Sequence, residues 1–333
     1  MLQRYRATGA DLPFADLRRA HGVAMEGYFW RLSDPASGRV IVALCGIHRG
    51  RAGSPWANVA IAAHPGDFIA AADLAGGTAD PAGLGVLVGE GAFEAGPARV
   101  RADLGERGAL DLTLHDVHAW PRRVLGGMGT GQVVPGLSQH WHPHVLGARA
   151  SGTVRLGVET IDLDGFRVYA EKNWGRDGFP DRWWWGHAQH FEDAPDTCVA
   201  FAGGAVTVGP FDTTATALVV RRGDTLIRLG DPVLSPVRAE VGGGSWHLRA
   251  RGPRWGVELT ATADPQDAHV LPVPLPARGY SVAGALQQFA GDLHLVLRRR
   301  GRIVYAGRSP LAGLEDGGRD AVEREIERRK VTA

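Results

Sequence analysis

Lysine and asparagine are almost missing from this chain. Two of each occur, Lys172 and Lys330, Asn58 and Asn173, although Lys and Arg together number 37. Against a background rich in Gly, Ala and Arg, the adjacent Lys172 and Asn173 mark a place that needs an ammonium and an amide, groups that Arg and Asp do not imitate. Cysteine is equally scarce. Cys45 and Cys198 sit in apolar runs with no second thiol at metal or redox spacing, so they read as small buried hydrophobes in a reducing compartment. No apolar run approaches the length of a membrane span, and Met1 to Arg6 lead into no apolar h-region. The expectation is a soluble, cytoplasmic protein without a signal peptide. Neither sign of charge dominates: the net charge of +1 gives no reason to expect nucleic acid as a partner. No glycine pair stands between a strand and a helical pattern, which excludes a phosphate-binding loop.

What is abundant is turn punctuation, 47 Gly and 20 Pro without a period. Between the turns the chain alternates with period two, at Val40–Leu44, Trp56–Ile61, Val154–Val158, Thr216–Val220 and Leu293–Leu297. Asp34-Pro35, Gly50-Arg51, Arg222-Gly223-Asp224 and Arg300-Gly301-Arg302 are the hairpin turns. Many strands at this spacing predict an all-β protein of antiparallel sandwiches or barrels. One helix is expected, at the C-terminus, where Asp320 and Glu323 make a capping box, Val322 and Ile326 share a stripe, and Arg328, Arg329 and Lys330 load the last turn. The pattern loosens between 147 and 165, which divides the chain into an N-terminal domain, 1–150, and a C-terminal domain, 151–333.

The densest chemistry lies in Tyr169-Ala170-Glu171-Lys172-Asn173-Trp174-Gly175, then Gly178-Phe179-Pro180, then Trp183-Trp184-Trp185. In an extended strand Tyr169, Glu171 and Asn173 line one face while Lys172 and Trp174 line the other. Further along, Trp183, Trp185, His187, Gln189 and Phe191 share a face that mixes rings with hydrogen-bonding groups. The plain alternative is a buried Glu–Lys pair joining two strands under an aromatic core.

These strings resemble the signature of the tocopherol cyclase family. Glu26-Gly27-Tyr28-Phe29 is similar to that family's entry motif, with Tyr28 where Trp is usual, and Pro135-Gly136-Leu137-Ser138-Gln139-His140-Trp141 is similar to the segment before its central motif. His187 and Gln189 stand where the family pattern has Gln and Asn. The resemblance covers residues 26 to 191 and implies two lipocalin-like antiparallel β-barrel or sandwich domains. It also implies an intramolecular lyase or isomerase that cyclises a prenylated quinol or related isoprenoid to a chromanol-type ring, without a cofactor. The partner would be a hydrophobic small molecule, collected by transient contact with a membrane surface.

Such chemistry needs a carboxylic acid against apolar walls to protonate an alkene, and aromatic faces to shelter the cation that results. Glu171 and Glu26 both qualify as the acid, with Glu171 ranked first because its whole neighbourhood is motif. Asn173 or a histidine would relieve the phenolic proton. Candidate substrate-binding residues are Tyr28, His140, His142, His144, Tyr169, Lys172, Trp174, Trp183, Trp185, His187 and Gln189. Three alternatives share the scaffold: an isoprenoid hydratase, a pericyclic cyclase, and a carrier that binds isoprenoid without chemistry. His140, His142 and His144 could also hold zinc or iron, but Pro143 interrupts their strand and the rings would have to converge. They are read as polar lining, and no metal is expected. Elemental analysis of the purified protein should find less than one equivalent of transition metal, with activity unaffected by chelator; a full equivalent of zinc or iron lost on changing His142 would reinstate a metal site.

Overall fold

The computed structural model describes residues 24–50, 54–80, 85–121, 125–134, 137–175, 178–318, 320–324 and 327. The chain divides into two compact units. Unit 1 comprises residues up to 126, with 138–178 and 274–282; unit 2 comprises 127–137, 179–273 and 283 onward. The stretch 147–165, where the sequence pattern loosens, is occupied by strand rather than by a linker.

Unit 1 is built on β1 (Met25–Asp34), β2 (Arg39–Arg49), β3 (Pro55–His64), β4 (Phe68–Ala75), β5 (Thr78–Asp80), β6 (Gly85–Val88), β7 (Phe93–Ala95), β8 (Arg99–Asp103), β9 (Gly108–His115), β10 (Gln139–Leu156), β11 (Glu159–Asp162) and β12 (Arg167–Gly175). Their order is β4-β3-β2-β1-β12-β10-β9-β8-β7-β6-β5, with β11 on β10. Consecutive strands pair as a meander, and β12 breaks the sequence order by entering between β1 and β10. That insertion sets the three motif segments side by side. Glu26 pairs with Trp174, Tyr28 with Lys172, His140 with Trp174 and His142 with Lys172 in the antiparallel register.

In β1, β2 and β3 the residues are buried almost without interruption, so the centre of this sheet is covered on both faces. Their near-continuous apolar runs are what a doubly covered strand requires. Pro143 has no N–H to give the ladder, and the β10–β12 register shifts between Pro143 and Val145, the irregularity expected at that proline.

Unit 2 contains β13 (Trp183–Ala188), β14 (Thr197–Val208), β15 (Phe211–Arg222), β16 (Thr225–Leu229), β17 (Val237–Gly242), β18 (Ser245–Arg251), β19 (Trp255–Thr262), most of β20 (His269–Leu275), most of β21 (Tyr280–Arg299), and β22 (Arg302–Gly317). The order is β16-β15-β14-β13-β22-β21-β19-β18-β17, with β20 on β21. Here the burial alternates, as in Trp246, Leu248 and Ala250 inward and His247, Arg249 and Arg251 outward, because one face meets water. Phe201, Leu218, Trp246, Leu259, Leu295 and Leu314 belong to its core.

Residues 320–324 and 327 are helical. Ala321 and Val322 bury their side chains against Ala268 and Leu286, so the expected C-terminal helix covers part of unit 2. Ile326 and Arg328 to Lys330 lie outside the described residues, as do Arg51 and the Pro135-Gly136 start of the second motif. The described residues are therefore all-β, in two antiparallel sheets with a short terminal helix. No helix among the described residues is long and apolar enough to cross a membrane.

Candidate active site

β12 presents its motif on two opposite faces. On the first, Lys172 reaches β1, where its Nζ lies 3.2 Å from Glu26 Oε1, and both side chains are fully buried. The ammonium also sits 4.9 Å from the centre of the Trp174 ring, and His140 stacks on the same indole at 5.1 Å with planes 3° apart. Tyr28, Trp30, His142 and His144 complete a layer without water access. Burial first, then the Lys172 charge and His144, hold the His142 imidazole well below the usual histidine range. Burial and then Lys172 push His144 down to about 3. Both rings are therefore neutral near pH 7. They can donate and accept hydrogen bonds, but a resident cation beside them opposes both their protonation and the approach of a second cation. No three His, Cys, Asp or Glu side chains among the described residues are grouped to hold a metal ion.

On the second face Glu171 is 4% exposed, and its Oε2 accepts hydrogen bonds from Trp141 Nε1 at 2.7 Å and Tyr169 hydroxyl at 2.6 Å. Asn173 follows on the same face, half-buried. Strand alternation is the cause: Glu171 and Lys172 are neighbours in sequence, yet the pleat sends them apart. The pair that joins two strands exists, but Glu26 makes it and Glu171 does not.

The sequence-picked residues thus fall into three places. Tyr28, Glu26, Lys172, Trp174 and the three histidines share the first face; Tyr169, Glu171 and Asn173 share the second. A molecule lying on one face of the sheet cannot also touch the other. Trp183, Trp185, His187 and Gln189 belong to unit 2, where Trp183 Nε1 donates to Glu315 Oε1 and Trp185 pairs with Glu315 in register. Trp184 turns the opposite way into the core and donates to Thr216 Oγ1 at 3.2 Å. The Gln189 backbone carbonyl accepts from Ser309 Oγ at 2.5 Å.

Three polar residues of note escaped the sequence reading. Glu315 stands beside Asp316 near the end of β22, and its alternation with Gly313 and Gly317 was the available signal. His48 and Asn58 form a buried pair, His48 Nε2 to Asn58 Oδ1 at 2.6 Å. Asn58 is the other of the two asparagines, so the scarcity that singled out Asn173 pointed to it as well.

The profile of the tocopherol cyclase-like family matches residues 105–318, which is most of the chain and includes β10, β12 and β13. The chain belongs to the tocopherol cyclase-like family. Among curated proteins it is 25% identical over 193 residues to the probable tocopherol cyclase, chloroplastic, of Oryza sativa subsp. japonica, a match that covers 55% of this chain. The chain spans about two fifths of that relative, 40% of its length. Among solved structures, CghA crystallised with Sch210972 superposes with a TM-score of 0.58 at 12% identity, covering 89% of this chain and 88% of CghA. An AttH-type protein of Nitrosomonas europaea gives 0.46 at 14% identity, over 89% and 93% of the two chains. The CghA superposition shows a shared fold. Within this tocopherol cyclase-like chain the family profile spans Glu171 and Lys172, while Glu26 and Tyr28 precede it.

The buried pair generates a stability test. Lys172→Met strands the Glu26 carboxylate without its counter-charge and should cost about 3–5 kcal/mol in urea unfolding. Glu26→Gln combined with Lys172→Met should recover most of that loss. A double variant as unstable as the single one would show that the ammonium acts through some other contact.

Proposed function

We propose that this chain catalyses proton-initiated cyclisation of a prenylated quinol or a related isoprenoid, closing a chromanol-type ring. The observation that supports this reading best is the setting of Glu171. Its carboxyl is almost fully buried, accepts hydrogen bonds from Trp141 and Tyr169, and stands on the face opposite Lys172, with the buried Arg31 of β1 on its own face. Glu26, held by Lys172, is scaffolding.

The chemistry balances as an isomerisation. Glu171 gives its proton to the less substituted carbon of a trisubstituted double bond, leaving a tertiary cation. A phenolic oxygen of the same molecule attacks that carbon, forming the C–O bond, and the resulting oxonium loses its proton, which restores the acid. Asn173, two residues along the same face, orients the phenol. Trp141 offers an indole at the point where charge develops, and aromatic faces stabilise such a cation by ~2 kcal/mol or more when water is excluded. Trp141 replaces Trp174 in this role, since the Trp174 ring already faces the Lys172 ammonium.

Glu171→Gln should keep the fold, judged by circular dichroism and thermal midpoint, and lower turnover of a prenylated hydroquinone by ~10² to 10⁴, the range for loss of a general acid. The product should be an isomer of unchanged mass. Near-normal turnover in that variant, with a folded Glu26→Gln inactive, would move the acid to Glu26.

A further inference from the structure

On the Glu171 face, one row of the sheet runs Asn173, Gly27, Gly46, Asn58 across β12, β1, β2 and β3. The two glycines at its centre have polar side chains laid over them. A Cβ on Gly27 would stand 3.0 Å from Asn173 Oδ1, and a Cβ on Gly46 would fall 2.5 Å from His48 Nε2 and closer still to Asn58 Oδ1. Only glycine at 46 lets the His48–Asn58 pair lie flat on the strands. Trp56 holds the imidazole from the side, with ring centres 4.3 Å apart, and its own Nε1 is anchored on the Pro276 carbonyl at 3.2 Å.

The hydrogen bond fixes the chemistry of that imidazole. Because Nε2 faces a carbonyl oxygen, it carries the ring hydrogen, and Nδ1 keeps its lone pair. Burial pushes His48 down to about 4, against smaller opposing contributions from Asn58 and Asp73, so the ring stays neutral near pH 7. His48 Nδ1 is buried yet accepts nothing from the described residues, and the same holds for Asn173 Oδ1. Leaving buried polar atoms unpaired costs on the order of 1–3 kcal/mol each, so two on one small floor call for an explanation. Both are acceptors. Their supporting glycines are direct neighbours on adjacent strands.

We infer that this glycine-floored row is the seat of the substrate's head group, with His48 Nδ1 and Asn173 Oδ1 each taking a hydroxyl hydrogen of a dihydroxyaromatic ring. The inference rests on the prenylated-quinol reading and narrows it. The seat selects the reduced quinol over the quinone, because quinone oxygens only accept and would face two acceptors. It also assigns His48 a positioning role that the His140, His142 and His144 row, on the opposite face, does not fill.

The test compares head groups on the intact protein. Binding of geranylhydroquinone, geranylquinone and the hydroquinone dimethyl ether is measured anaerobically by calorimetry. The hydroquinone should bind about tenfold or more tightly than either of the others, ~1.4 kcal/mol being one decade. His48→Phe with Asn58→Leu keeps a ring against Trp56 and orphans neither partner; Asn173→Leu serves as an independent second variant. Either change should reduce the preference to within about twofold while affinity for the ether holds, as expected when only hydroxyl acceptors are lost. Equal affinity for the three head groups, no binding of the hydroquinone, or a preference that survives in both folded variants would overturn the seat. Turnover is followed separately. An isomeric product with an unaltered preference in the variants sinks the seat and leaves the cyclisation, whereas an altered preference without any product does the reverse.

Discussion

The pleat of β12 is the constraint on which the account depends. Three consecutive residues, Glu171, Lys172 and Asn173, bring an acid, a cation and an amide to one point of the chain, and period-two alternation sends the cation alone to the other side. Had the same residues lain on a helix or a bulge, the ammonium would share space with the carboxyl and hold it ionised. A one-residue slip of register would exchange the two faces, placing Lys172 beside Trp141. The buried Glu26–Lys172 contact opposes that slip, because it is formed only when β1 and β12 meet in the observed register. A buried ion pair is weak evidence for net stability, and its value here lies in fixing alignment.

The same contact organises the first face. Lys172 serves Glu26, lies against Trp174, and adds to burial, the larger cause, in holding His142 and His144 neutral. That row attracts notice in the sequence because three imidazoles alternate along a strand. Its environment makes it a packed polar layer. The second face carries a cation of a different kind, the fully buried Arg31 guanidinium of β1, paired with Tyr169 in register.

Much of the fold was legible because it rests on local rules. Alternation and Gly/Pro punctuation located strands at Val40–Leu44, Thr216–Val220 and Leu293–Leu297, and the face assignment of Tyr169, Glu171 and Asn173 against Lys172 and Trp174 follows from the pleat alone. Non-local pairing was not legible. That β12 enters between β1 and β10, so that Lys172 meets Glu26 across 146 positions of chain, depends on which strands dock, and periodicity carries no such information. For the same reason the candidate residues looked like one group in sequence and separate onto two faces and a second unit in space. His48 and Glu315 were passed over because each stands beside a charged residue near a strand end, Arg49 and Asp316, a pattern that usually means solvent contact. Asn58 was within reach, since the rarity of asparagine applied to it as much as to Asn173.

Proton delivery from a buried carboxyl to a carbon is the central claim, and heavy water tests it most directly. Turnover of a prenylated hydroquinone in deuterium oxide should give a cyclic product with one deuterium on the carbon next to the new C–O bond. Formation of the ring without deuterium at that carbon, or a product heavier by the elements of water, would contradict the account.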